Sequence, residues 1–222
     1  MFNKFLLLSY FIALPALANF NISPISISLS VGEKSGSYTL ENLSQRKAAY
    51  QIQAVTREIF SNGEENLQET KLIRVFPSKI ILSPGQKKRI KVIYLGKKNI
   101  AKEQSFRVLF NSLDLDVSDS LKTTGVITKY NFATTFYVTP KDAEADLNTH
   151  IVKKNNRYQL QLKNRGSKHI ILRNWKLDLV NNQAKQRYSG DLPDVNILAG
   201  NELYIPLTGI SGQYQTANIV TQ

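Results

Sequence analysis

The chain has 222 residues, of which 42% are hydrophobic and 21% charged, with no cysteine, two histidines and a formal net charge of +12. Lack of cysteine excludes a disulfide-stapled scaffold and a thiolate metal site, and two histidines without a nearby acidic cluster leave zinc binding or histidine catalysis unsupported. No Gly-rich phosphate loop and no nucleophile elbow occurs, so the sequence reads as a non-enzyme with no cofactor and no metal. Lys and Arg are spread along the chain, often alternating with apolar residues. That pattern favours a solvated basic surface, and no nucleic-acid motif is present.

Residues 1–18 read as a secretory signal peptide: Lys4 supplies the positive start, FLLLSYFIAL the apolar core, and Ala16-Leu17-Ala18 the cleavage site. The apolar run is too short to span a bilayer and no second one follows, which implies export without membrane insertion. Removing 18 of 222 residues leaves 204, and loss of Lys4 leaves a charge of +11. That length suits two sandwiches of about 100 residues each.

From Asn19 onward the pattern is short β runs between turn residues, without a helical period. Phe20, Ile22, Ile25, Ile27 and Leu29 mark a first strand broken by Pro24, which suits an edge or a switch between sheets because proline cannot donate to a ladder. Strands follow over Tyr38 to Leu43 and Ala48 to Arg57, the second alternating as Tyr50, Ile52 and Ala54. Ser61-Asn62-Gly63-Glu64 predicts a hairpin turn. Within residues 73–96 a strand ends near Pro77 and another spans Lys79 to Leu82. A type II turn follows at Ser83-Pro84-Gly85-Gln86, then a strand over Lys88 to Tyr94 with Ile90, Val92 and Tyr94 on one face. A strand from Glu103 to Leu113 and a polar loop from Asp114 to Lys122 precede the longest β-favouring run, Gly125 to Pro140.

In that run Val126, Thr128, Tyr130, Phe132, Thr134, Phe136 and Val138 share one face and Ile127, Lys129, Asn131, Ala133, Thr135 and Tyr137 the other. Thirteen residues at about 3.3 Å each span roughly 43 Å, longer than one sheet needs. Left at an edge, such a strand invites pairing with another chain. Acid pairs such as Glu64-Glu65 and Asp114/Asp116 read as solvated, Arg107 with Glu103 as a structural ion pair, and Trp175 as core.

These strands, at spacings of 8 to 12 residues, describe an immunoglobulin-like sandwich. The order NFNISPIS, a strand ending at Arg57 with a Gly63 turn, FPSKIILSPGQKKRIKVIY, EQSFRVLF and a long alternating strand before Pro140 resembles the periplasmic pilus chaperones of the chaperone–usher pathway, the PapD-like family. LQLKNRGSKHIILRNWKL (160–177) looks like the paired strands of that family's second domain, and ILAGNELYIPL (197–207) like its later turn and strand.

The resemblance implies an all-β fold of two immunoglobulin-like β-sandwich domains arranged as an L or boomerang, 19–140 and 141–222. It implies a periplasmic chaperone, active in fimbrium biogenesis and cell wall organisation. Such a chaperone would bind, stabilise and deliver pilus or fimbrial subunits to an outer-membrane usher by donor-strand complementation, lending alternating side chains from strand 125–139. Counted back from Pro140, the donor positions are Val126, Thr128, Tyr130 and Phe132. Well-studied members clamp the subunit's terminal carboxylate with an Arg and a Lys; here Ser26 and Thr135 stand at those places, which is similar to archaic or alternate branches. Lys129, Arg57 and Arg107 are further sources of positive charge for anchoring. The free chaperone is expected to self-associate through the long strand if that edge needs protection. The rival readings are a secreted two-sandwich structural subunit or adhesin module, and a basic surface-binding module for lipopolysaccharide or anionic lipid, whose signature would be salt-sensitive binding without a protein partner.

Overall fold

A computed structural model describes residues 19–114, 130–181, 185–210, 214 and 216–220. The expected signal peptide, the polar loop from Leu115 on, and Val126, Thr128 and Lys129 lie outside the described residues. Among the described residues every regular element is a strand, as the alternating patterns and frequent turn residues imply.

The first core lies between two sheets. One has the order β1 (Phe20–Ser23), β3 (Ser35–Asn42), β8 (Lys87–Tyr94) and β6 (Ile73–Phe76). The other runs β2 (Ser26–Ser30), β10 (Asn131–Thr139), β9 (Gln104–Leu113), β4 (Ala48–Ile59) and β5 (Glu65–Glu69), with β7 (Lys79–Leu82) also paired to β4. Alternate residues of each sheet fill the space between them. Tyr38, Leu40, Tyr50, Ile52, Ile90, Val92, Phe106, Phe110, Phe136 and Val138 are buried there. At about 1.5 to 3 kcal/mol for each fully buried side chain, this cluster is the main stabilising element of the N-terminal half.

Two prolines mark where the chain changes sheets. Pro24 separates β1, which pairs with β3, from β2, which pairs in parallel with β10. Pro77 separates β6, paired with β8, from β7, paired with β4. A residue with no N–H leaves no ladder donor unsatisfied at the crossing. The Ser83 to Gln86 turn closes through Gln86 N–H to Ser83 O at 3.0 Å, with Gly85 at φ +72 as its third residue requires. The Gly63 turn joins β4 to β5 in the predicted place, with Gly63 at φ +90 and Phe60 N–H donating to Glu64 O at 2.9 Å.

The second core is built from three small sheets. They are β11 (Leu147–Lys154), β12 (Arg157–Asn164) and β17 (Glu202–Leu207); β13 (Ile170–Leu172) with β16 (Val195–Ile197); and β15 (Lys185–Arg187), β14 (Lys176–Val180) and β18 (Thr216–Val220). Leu160, Leu162, Trp175, Leu177, Leu179, Ile205 and Ala217 fill it. Trp175 is core as expected, its indole N–H donating to Pro193 O at 2.9 Å. One expectation is corrected: β12, β13 and β14 do not pair with one another, because β12 lies between β11 and β17 while β13 and β14 join other sheets.

Each core carries the same corner. The Asn42 side chain is fully buried and donates to Arg46 O at 2.7 Å and Leu82 O at 3.1 Å, while its oxygen accepts from Ser44 N–H. Asn164 is likewise fully buried, donates to Lys168 O at 2.7 Å and Ile197 O at 3.2 Å, and accepts from Gly166 N–H. A buried amide satisfied on every side fixes the loop that leaves the strand.

Candidate functional site

Strand β10 is covered unevenly. Along Asn131–Val138 one edge pairs with β9, but the other pairs with β2 only from Thr135 to Thr139. Thr135 N–H donates to Ile25 O at 3.1 Å, and Tyr130 O accepts from Ser112 N–H on the β9 side at 3.1 Å. Backbone groups alternate along a strand, so the N–H and C=O of Asn131 and Ala133 point away from β9. No strand among the described residues pairs with them. Both residues are exposed, and Ile25, where β2 begins, is 73% exposed beside the same opening. The switch at Pro24 creates this opening by carrying β1 into the other sheet.

The two described donor candidates lie at the rim of the first core. The Phe132 ring sits 3.9 Å from that of Phe20, and Tyr130 lies 5.9 Å from Phe20 and 6.4 Å from Phe132. Tyr130 Oη also accepts from Asn19 Nδ2 at 2.7 Å. Thr134, Phe136 and Val138 on the same face are buried. The even face of β10 is therefore continuous with the first core, and Phe132 is partly buried at its rim.

Behind the opening lies a polar cluster. Ser26 and Thr135 are register partners across β2 and β10. Tyr38 Oη donates to Thr135 O at 2.7 Å, and burial pushes the Tyr38 hydroxyl up to about 12. Arg107 on β9 donates through Nη1 to Thr135 Oγ1 at 2.7 Å and through Nη2 to Glu65 Oε1 at 2.5 Å. Arg57 donates to the same carboxylate from Nε at 2.9 Å and Nη2 at 2.6 Å, leaving only 5% of its side chain exposed. Burial acts to raise the Glu65 carboxyl, yet the two guanidinium groups outweigh it and hold the group below the usual carboxylate range.

Two expectations are corrected here. Arg107 pairs with Glu65 and not Glu103, because the sheet order brings β5 and β9 to the two sides of β4. Glu65 is accordingly an ion-paired hub and not merely a solvated turn residue. Glu103 instead faces the second core: its Oε1 meets His169 Nδ1 at 2.5 Å and its Oε2 accepts from Thr139 Oγ1 at 2.7 Å. Its side chain is 1% exposed. Burial tends to raise this carboxyl, but His169 and Thr139 hold it below the usual range.

Tyr137 links the two groups. Its ring stacks on His169 at 3.8 Å, and its hydroxyl accepts from Asn196 Nδ2 at 2.6 Å and Arg57 Nη1 at 3.4 Å. Glu103 N–H donates to Ser167 O, Tyr204 N–H to Ser61 O, and Asn201 Nδ2 to Ile59 O, each at 2.9 Å. Between these contacts lies a cleft of about 420 Å³, lined by Arg57, Glu65, Asn196, Leu203 and Tyr204 among others. The sequence reading named Arg107 as a possible source of positive charge beside Arg57 and Lys129 but gave it the wrong partner, and it missed Ile25 and His169 as parts of this arrangement. Only the break at Pro24 hinted at Ile25.

No protein-family model matches the sequence, and no curated protein matches it. Solved structures do. The Class 5 fimbriae chaperone CfaA aligns with a TM-score of 0.61 at 19% identity, over 92% of this chain and 100% of that one. A chain of the CsuC–CsuE chaperone-tip adhesion subunit pre-assembly complex, from archaic chaperone–usher Csu pili of Acinetobacter baumannii, aligns with a TM-score of 0.60 at 19% identity, over 85% and 90%. The E. coli chaperone DraB aligns with a TM-score of 0.61 at 11% identity, over 91% and 95%. The fold is thus that of the pilus chaperones, all-β and shared over nearly the whole length of those structures.

Proposed function

We propose that this chain is a non-enzymatic periplasmic chaperone that binds, stabilises and delivers pilus or fimbrial subunits to an outer-membrane usher. The observation that carries the reading is the open edge of β10 at Asn131 and Ala133, which lies on the rim of an apolar core in a pilus-chaperone fold. A subunit strand added there makes ladder bonds to those groups, and affinity comes from the main chain while side-chain pockets select the partner. Val126, Thr128, Tyr130 and Phe132 are the lent side chains, the last two extending the packed face of the first core. Each apolar group buried in the subunit contributes roughly 1.5 to 3 kcal/mol.

In this reading residues 1–18 direct export, 19–140 form the first domain and 141–222 the second. The subunit is anchored at the hydroxyls of Ser26 and Thr135, with Lys129 nearby in sequence. Arg107 supplies the positive charge from the neighbouring strand, and Arg57 holds the Glu65 counter-charge in place. The chaperone's own edge is the template, so no cofactor enters.

Co-expression with candidate subunits in a periplasm, followed by pull-down of the natural chain and of Tyr130→Asp, tests the proposal. Recovery of a subunit by the natural chain and its loss with Tyr130→Asp at unchanged circular dichroism support strand donation. If no subunit is retained by the natural chain, the chaperone reading fails.

A further inference from the structure

The outer face of the β1-β3-β8-β6 sheet differs in charge from that of its partner sheet. Ile90, Val92 and Tyr94 of β8 point into the first core, so Lys87, Arg89, Lys91 and Ile93 point outward. Register places Thr39 beside Arg89, Lys91 between Ser37 and Phe76, and Ile93 beside Arg74. Four cations thus share one face, with small hydroxyl side chains beside them on β3. Its one acid on those rows, Glu41, faces Lys87, 3.3 Å away. Arg74, Arg89 and Lys91 have no acidic partner among the described residues, and Phe76 at the sheet's edge is 70% exposed. On the other sheet the outward arginines, Arg57 and Arg107, share the Glu65 carboxylate as a common counter-charge, whereas Arg74, Arg89 and Lys91 have none among the described residues.

We infer that this face docks on an anionic phospholipid bilayer. Two observations select that occupant. Its unpaired charges are of one sign, which complements a lipid surface and not a mixed protein surface. An exposed aromatic ring stands at its margin, where it can enter the headgroup layer. The open edge of β10 belongs to the other sheet, so docking leaves that edge free for a protein partner. The inference goes beyond the chaperone reading and stands without it.

The test is co-sedimentation of the purified full-length mature chain with vesicles of phosphatidylethanolamine and about 30% phosphatidylglycerol, against phosphatidylcholine alone, at low and high salt. Binding is expected to the anionic vesicles only and to disappear at high salt. Arg74→Gln/Arg89→Gln/Lys91→Gln is expected to weaken it about a hundredfold, at about fivefold for each cation near the surface. Lys154→Gln/Arg165→Gln/Lys176→Gln removes the same charge from exposed positions of the second half and is expected to change binding by less than about threefold. Equal loss in both variants would mean that net charge alone drives binding and would overturn the inference. So would absence of binding by the natural chain, or retention by an acidic polypeptide such as polyglutamate but not by vesicles. Circular dichroism of both variants excludes misfolding as the cause, and subunit pull-down with the same variants reports separately on the chaperone reading.

Discussion

The Tyr137 ring lies 3.8 Å from the His169 imidazole and within 7° of parallel to it. This stack joins the strand that carries the open edge to the second core. Next to it the Glu103 carboxylate, buried to 1% exposure, is held by His169 and Thr139. Replacing His169 by Ala leaves that buried carboxylate short of its main side-chain partner, and losing a hydrogen bond to a charged group costs about 1.5 to 3 kcal/mol. His169→Ala is expected to lower the melting temperature more than Glu103→Gln does. In the double variant the two losses are expected not to add. A melting series on the four proteins checks this, and additive losses would show that the pair is not coupled.

Glu65 and Glu103 both have carboxyls held below their ordinary range. A depressed acid contributes stability above the unfolded carboxylate value and loses it as pH falls through the folded value. Stability should therefore be flat near neutrality and fall on acidification below the ordinary carboxylate range. Glu103→Gln should make the fall shallower in denaturant titrations at stepped pH. An unchanged acid limb in the variant would count against the assignment.

Ala133 directs its N–H to the open edge, and Thr134 directs its own to β9. Ala133→Pro removes a donor that the free protein does not use, whereas Thr134→Pro removes a ladder bond inside the sheet, where proline is not accommodated. Ala133→Pro is expected to retain most of its thermal stability while losing subunit retention; Thr134→Pro is expected to unfold readily. Normal retention by Ala133→Pro would mean that the partner does not pair at this edge.

The alternation that identifies strands was fully legible. Tyr50 and Ile52, then Ile90, Val92 and Tyr94, and the even face from Phe132 to Val138 all turn inward as period 2 requires. The role of Pro24 was legible too, because missing N–H groups leave few places in a sheet. Lateral partners were not. Arg107 and Glu65 are 42 residues apart, and their meeting depends on the order in which β5, β4 and β9 lie side by side. Glu103 stands four residues from Arg107, yet it faces His169, which is 66 residues away. Local spacing ranks near neighbours first, and long-range register decided otherwise.

Phe132 shows a further limit. Alternation puts it on the donor face, but its ring packs 3.9 Å from Phe20. Phe132→Ala is expected to cost about 2 kcal/mol of stability, below the 3 to 5 typical of a fully buried ring. Tyr130→Ala is expected to cost about 1 kcal/mol or less, because its side chain is only half-buried. Urea denaturation of both variants tests the order, and the reverse order would place Tyr130 deeper in the core than Phe132.

Gly166 admits no side chain: a Cβ there would lie 2.3 Å from the Glu144 carbonyl oxygen. Gly166→Ala must move backbone, and it should loosen the corner at Asn164 by about 1 to 3 kcal/mol. Calorimetry is expected to show the second core melting earlier than in the natural chain, with the first core little changed.

Strand β10 is fastened at its far end by Thr135, Tyr137 and Thr139, each tied to a different element: Arg107, His169 and Glu103. Such a strand resembles a ruler clamped in a vice, unable to slide lengthwise by even one residue. A slip of one position would exchange its inward and outward faces. The alignment of any strand that joins the free edge is therefore set before it arrives, by fixtures it never touches.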